Sequence, residues 1–597
     1  MTNKNTSDII ALGYHRLTYF AFKLAISNII QKGTFKYMKF YRFGKETSPV
    51  MLLLPGTCCH WSVFKGIIPL LTDTFQVAAV SYDGFDETQP DAEFKNMYEE
   101  CERIEHYIKE KFGGKIFAAY GCSLGGSFVG LLIQRKNIHI DHGFIGSSDL
   151  DQAGFIGAKL QSGIVCPIME KSAKSGRLPD WMANMKRKQA AKEGKDPEEV
   201  EKSIEFFGNY LKSAQCATKD SIKNQFYSDL ITPLEDNIRV ENTTVHIFYA
   251  LKMGDKYFER YEKHFPDADI MARDLGHEEL LMKYPEQWAQ DIKRCCGLPF
   301  DSEKALPEPM SYRRDRKRFF SEHSYKETDV NGVKFRYLDC GSENTENGKT
   351  LVFLTGGIGF SELYYPYISQ LESEYRTITF DFPYEYNTID SLADGITGLL
   401  DKLGIEKAIW AGSSFGGYLA QAAAKKYPER TEALCLMSTA AASEMTIGAL
   451  RKKYQKLVPL AVKSIEKLPF DITKKREFNQ CMRHVANATN DERFYMRELF
   501  TDIYKSYTPE FDLHMTRLIA DVIDLTPCTA ADFTYLDGKV LLILPEDDDF
   551  FTADMQKDLT DMMPSPVICH MTGGHTATIM KVSEYVKLIK DFLKNID

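Results

Sequence analysis

Gly121-Cys122-Ser123-Leu124-Gly125 and Gly412-Ser413-Ser414-Phe415-Gly416 are two occurrences of G-x-S-x-G in one chain. Small residues flanking a serine let the backbone turn from strand to helix so sharply that the hydroxyl stands out from the end of a sheet. Both pentapeptides sit in that context. An apolar run precedes each one (Ile116 to Tyr120, Ala408 to Ala411), and a helical pattern follows each (Gly126 to Arg135, Gly417 to Tyr427). Context and repetition together set them apart from ordinary glycine-rich turns.

Working outward, the two neighbourhoods correspond. Met51-Leu52-Leu53-Leu54-Pro55-Gly56-Thr57 and Val77-Ala78-Ala79-Val80-Ser81-Tyr82-Asp83 precede the first motif; Leu351-Val352-Phe353-Leu354-Thr355-Gly356-Gly357 and Thr377-Ile378-Thr379-Phe380-Asp381 precede the second. Short apolar runs ending in Gly or Asp, separated by helical patterns such as Tyr98 to Lys111 and Ile389 to Leu403, are what buried parallel strands joined by crossover helices produce. The fold class is therefore α/β, in two tandem domains, as a chain of 597 residues leads one to expect. The expected boundaries are a helical extension over 1–35, a first domain over 36–299, a Pro-containing charged linker over 300–326 and a second domain over 327–597. Each domain carries a helical insertion, at about 151–237 and 443–527. These lie where open α/β sheets bind ligands, and read as caps over the strand ends.

A serine hydroxyl is a weak nucleophile until a base takes its proton, and the base needs an acid to orient it. His277 and His575 each sit in a Gly-led turn before the last helix of their half. Asp255 follows the apolar run Val245 to Ala250, and Asp548 follows Val540 to Leu544. The sets Ser123, Asp255, His277 and Ser414, Asp548, His575 share one order, and serine and acid are 132 and 134 residues apart. Asp547 and Asp549 are register alternatives to Asp548, and Asp149 is an alternative to Asp255. The developing oxyanion needs donors: the N–H of Leu124 or Phe415 after each serine, with Thr57 or Cys58 and Gly357 or Ile358 from the loop after the early strand. His60, near the first of these loops, is a candidate ligand contact. Such a set needs no metal or cofactor, and no H-x-x-x-H spacing occurs.

Taken together, the glycine loop, G-x-S-x-G turn, strand-end Asp and late His resemble the α/β-hydrolase superfamily over nearly all of both halves. The resemblance implies a mostly parallel eight-stranded sheet flanked by helices in each half. It also implies serine hydrolase chemistry on carboxylic esters or related small acyl substrates. Around Phe380-Asp381-Phe382-Pro383-Tyr384 and Gly412 to Gly417 the second half is similar to single-domain small-molecule hydrolases and to maspardin-like proteins, which are associated with binding as much as with catalysis. Neither half resembles epoxide hydrolases or haloalkane dehalogenases at the nucleophile, because serine stands where those enzymes carry aspartate. Two other readings stand beside the esterase. In one, a domain is a binding module with an unused turn. In the other, the same residues serve peptide, lactone or carbon–carbon bond hydrolysis, or acyl transfer.

A net charge of −10 opposes a broad nucleic-acid surface. Thirteen cysteines without a Cys-x-x-Cys pair read as reduced thiols of a cytoplasmic protein, including the adjacent pairs Cys58-Cys59 and Cys295-Cys296. The leader is the exception to the acidic balance: Met1 to Phe43 holds seven bases and one acid. Its apolar run Leu17 to Ile30 is shorter than the roughly 20 residues that span a bilayer. It reads as an amphipathic helix contacting the protein itself, a partner or a membrane surface. In the second cap, Leu457, Leu460, Phe470, Phe494, Tyr495, Phe500, Tyr504 and Tyr507 would suit either an apolar acyl pocket or a core.

Overall fold

The computed structural model describes residues 38–150, 153–192, 196–212, 214–343, 348–486 and 488–596. The helix expected over 1–35 lies outside them. The chain divides into two compact units, Met1–Pro307 and Glu308–Asp597.

In the first unit the described strands are β1 (Lys39–Phe43), β2 (Val50–Leu54), β3 (Gln76–Ser81), β4 (Lys115–Cys122), β5 (His139–Gly146), β6 (Thr244–Ala250) and β7 (Asp269–Arg273). They form one sheet in the order β1-β3-β2-β4-β5-β6-β7, parallel except for β1. That is seven strands among the described residues, one fewer than the resemblance implies. Helices cover both faces, so an interior strand such as β3 is buried at every position and its sequence, Gln-Val-Ala-Ala-Val-Ser, shows no polar alternation. The cap enters between β5 and β6 as helices Phe155–Ser175, Asp180–Lys192, Pro197–Lys212 and Lys219–Ile231.

The second unit has β8 (Lys326–Val330), β9 (Val333–Cys340), β10 (Thr350–Leu354), β11 (Arg376–Phe380), β12 (Ala408–Ser413), β13 (Thr431–Met437), β14 (Val540–Pro545) and β15 (Val567–Met571). The sheet runs β15-β14-β13-β12-β10-β11-β9-β8, antiparallel only at β8, β9 and their neighbours. One face is packed by helix Ile389–Lys402, which buries Ile389, Leu392, Ile396, Leu399 and Leu400 and begins with a Thr388–Ser391 capping box. The other is packed by Val582–Leu593 through Tyr585, Ile589 and Phe592. Helices Glu444–Lys467, Phe470–His484, Asn490–Ser506 and Pro509–Asp521 form the cap between β13 and β14.

The expected linker over 300–326 is largely a built part of the second unit. Helix Tyr312–Glu322 buries Tyr312 and Phe319, seven residues apart on one face. Its basic run is spent on specific acids: Arg313 forks onto Asp502 at 2.9 and 2.7 Å, Arg316 reaches Glu362 at 2.9 Å, and Arg318 reaches Glu308 at 2.9 Å. Composition alone reads such a run as solvated; the buried aromatic residues flanking the arginines, Tyr312 and Phe319, are what dock it.

Candidate active site

Both elbows have one backbone geometry. Ser123 (φ 51°, ψ −119°) and Ser414 (φ 50°, ψ −116°) sit just ahead of helices Leu124–Arg135 and Phe415–Lys426, in a conformation costly for any residue with a side chain. The flanking glycines follow from the crowding: a Cβ on Gly416 would run into the Leu354 carbonyl, and one on Gly125 into the Leu54 carbonyl.

In the second unit the hydroxyl so presented meets a complete relay. Ser414 Oγ lies 3.0 Å from His575 Nε2, and His575 Nδ1 lies 3.0 Å from Asp548 Oδ2. Asp548 is fully buried and also accepts the N–H groups of Phe550 (2.7 Å) and Phe551 (3.1 Å), which fix its carboxylate without a counter-ion. The two aromatic rings hold the imidazole, Phe550 stacked on it at 4.7 Å between centroids and Phe551 edge-on at 5.4 Å. The register alternatives are engaged elsewhere. Asp547 accepts the N–H groups of Gly573 and Gly574, bracing the turn that carries His575, and those of Gly574 and Gly573 hold its carboxyl below the usual range. Asp549 pairs with His484 of the cap at 3.0 Å.

The loop after β10 comes close to the serine, where a Cβ on Gly356 would stand 3.4 Å from Ser414 Cβ. Among the described residues no hydrogen bond occupies the N–H of Gly357 or Ile358. Above this loop lies cap helix Pro509–Asp521: a Cβ on Gly357 would meet Ile519 Cδ1 at 3.0 Å, and one on Gly359 would meet Met515 Sδ at 2.6 Å. Phe360 and Phe511 extend the apolar lining, with centroids 4.7 Å apart. Of the cap residues read from sequence, Tyr495 and Phe500 are buried in the core beside helix Tyr312–Glu322 and Phe494 is buried as well, whereas Leu457 and Leu460 face solvent.

The first unit does not assemble its predicted set. His277, four residues past β7 as His575 is past β15, is exposed, and its ion-pair contact is Glu278 Oε1 at 3.7 Å. Among the described residues it makes no hydrogen bond to Ser123, Asp255 or Asp149. Ladder register explains the acid. Ala250 pairs with Arg273 and Pro545 with Met571, so the counterpart of Asp548, three residues on, is Met253. Asp255 lies two residues further, exposed at the start of helix Lys256–His264. The loop after β2 is occupied as well: Cys58 N–H donates to Gln225 Oε1 at 2.6 Å and Thr57 Oγ1 to Asp229 Oδ2 at 2.9 Å, both acceptors on cap helix Lys219–Ile231. These contacts span more than 160 residues and leave no mark in the local sequence. Glu278, also unread from sequence, is buried behind the elbow, where burial pushes its carboxyl up. His60 Nε2 faces Asp86 and Glu87 at 3.6 and 3.7 Å, a trio of donor types that could hold a cation.

Residues 349–477 match a family model described as alpha/beta hydrolase fold. Proline iminopeptidase PfmaB of Pestalotiopsis fici is 32% identical over 154 residues, 24% of this chain and 53% of that protein. Epoxide hydrolase 4 of Mus musculus is 31% identical over 146 residues, 22% of this chain and 39% of that one. The chain thus spans about half or less of these two relatives. 2-Hydroxymuconate semialdehyde hydrolase of Pseudomonas putida is 25% identical over 202 residues, 34% of this chain and 67% of that protein. Among solved structures, an enol-lactonase from Burkholderia xenovorans LB400 aligns at a TM-score of 0.38 and 20% identity, over 45% of this chain and 100% of its own.

Proposed function

We propose that the second unit, where residues 349–477 match the alpha/beta hydrolase fold model, is a serine hydrolase of carboxylic esters or related small acyl compounds, and that the first unit does not hydrolyse. The observation that carries the reading is the continuous chain Ser414 Oγ, His575, Asp548 at 3.0 Å per step behind a strained serine. His575 Nε2 takes the hydroxyl proton as Ser414 Oγ attacks the acyl carbon. Asp548, held by two backbone N–H groups, keeps Nδ1 protonated and stabilises the imidazolium. Phe415 N–H, with Gly357 or Ile358 N–H, receives the oxyanion. His575 then returns the proton to the leaving group, and water repeats the sequence to release the acid. The apolar ground formed by Phe511, Met515 and Ile519 suits an aliphatic or aromatic acyl group.

In the first unit a cap glutamine occupies the Cys58 N–H, and among the described residues no histidine hydrogen-bonds Ser123, which supports a binding role for that unit. The thirteen cysteines are all free thiols, which supports a reducing, cytoplasmic setting. No helix among the described residues is long and apolar enough to cross a membrane. The relatives' names cover a peptidase, an epoxide hydrolase and a semialdehyde hydrolase, so the bond cleaved is a matter for product analysis. A fluorophosphonate probe followed by peptide mass spectrometry tests the assignment. Label is expected on Ser414 and not on Ser123; label on Ser123 alone, or on neither, overturns it.

A further inference from the structure

Helix Phe155–Ser175 of the first unit's cap is amphipathic the wrong way round. Its inward face, at Ala158, Ser162, Cys166 and Ala173, is small; Cys166 Sγ meets the Lys219 carbonyl of the neighbouring helix at 3.3 Å. Its outward face carries the large aliphatics. Ile156, Leu160 and Ile164, one turn apart in succession, are 82, 65 and 61% exposed. A helix that served only its own domain would turn such residues inward.

The charge around the face says what covers it. Lys171 and Lys174 continue the same side of the helix beyond Ile164, and residues 155–192 hold eight bases against two acids in a chain of net charge −10. The next helix, Asp180–Lys192, likewise leaves Trp181 and Met185 exposed one turn apart, 53 and 63%, with Lys188 following on that side. Protruding aliphatics, an exposed tryptophan and lysines whose stems can lie along apolar surface while their ammonium groups reach outward are the chemistry of a helix resting in the headgroup layer of an anionic bilayer. We infer that this cap is a membrane-surface docking site, with helix Phe155–Ser175 lying along an anionic lipid surface.

The 597-residue chain is centrifuged with vesicles of phosphatidylcholine with or without phosphatidylglycerol. The wild type is expected to pellet with the anionic vesicles and much less with the neutral ones, with binding that weakens as salt rises. Ile156→Asp/Leu160→Asp/Ile164→Asp is expected to lower the partition coefficient about tenfold or more, and Lys171→Gln/Lys174→Gln to weaken only the anionic binding. The substituted side chains are exposed, so circular-dichroism melts should match the wild type; if the triple variant aggregates, Leu160→Glu alone carries the comparison. Three results overturn the inference. The wild type stays in the supernatant. The triple variant pellets like the wild type, which transfers binding to another segment such as the basic leader. Lipid-free size exclusion shows a wild-type dimer that the triple variant turns into a monomer, which makes the face a contact between copies.

Discussion

Ser123 and Ser414 differ by one degree in φ, and a kinked serine alone does no chemistry. What separates them is the third residue past the neighbouring strand, Met253 in one unit and Asp548 in the other. Ser414→Ala is expected to lower kcat/KM on a p-nitrophenyl ester by about a thousandfold or more, and Asp548→Asn by about a hundred- to ten-thousandfold with KM little changed. A Ser414→Ala enzyme with wild-type turnover sinks the assignment. Three consecutive aspartates carry three tasks here: Asp547 braces the Gly573–Gly574 turn, Asp548 orients the histidine and Asp549 reaches the cap. A motif can mark such a cluster, but which carboxylate points where is set by backbone N–H groups donated from two and three residues further on and from 26 positions away.

Strands, elbows and crossover helices were legible because their causes are local: continuous apolar runs, caps and obligatory glycines. Gly416→Ala puts a methyl group against the Leu354 carbonyl and is expected to cost about 1–3 kcal/mol, read from urea melts. The segment over 300–326 was not legible in the same way, since its arginines find acids on helix Asn490–Ser506 and near the start of helix Tyr365–Leu371, far along the chain. There, too, lies a pH-dependent contribution. Glu498, buried against Ser311, is pushed up to about 7, chiefly by burial, while Arg313 acts in the other direction. A carboxyl raised on folding binds its proton more tightly in the native state, so its effect on stability declines as pH climbs from its ordinary value near 4.5 to about 7 and is level above. Glu498→Gln is therefore expected to raise stability at pH 8 by on the order of 3 kcal/mol and to flatten that part of the profile; thermal melts across pH that show no relative change would count against this.

Across the whole chain two sheets of like strand order each carry a strained serine, and among the described residues only Ser414 meets a histidine. Ser123→Ala is expected to leave ester hydrolysis within about twofold of wild type, and the double variant with Ser414→Ala to match Ser414→Ala alone, because independent sites add. A first unit that loses measurable turnover with Ser123→Ala would restore the two-site reading. The repeated G-x-S-x-G turns, the apolar parallel strands and the positions of the caps follow from neighbours in sequence, where residue size and hydrophobic period act directly. The shared order and near-equal spacing of the two Ser, Asp, His sets are written in the sequence as well, but the first unit does not bring its set together. Whether a base reaches a serine depends on strand register, on a two-residue difference in the acid loop and on a cap glutamine that has taken a backbone N–H. The glutamine contact joins residues 167 apart and the Ser414–His575 contact residues 161 apart, and both form only when the chain is folded around them.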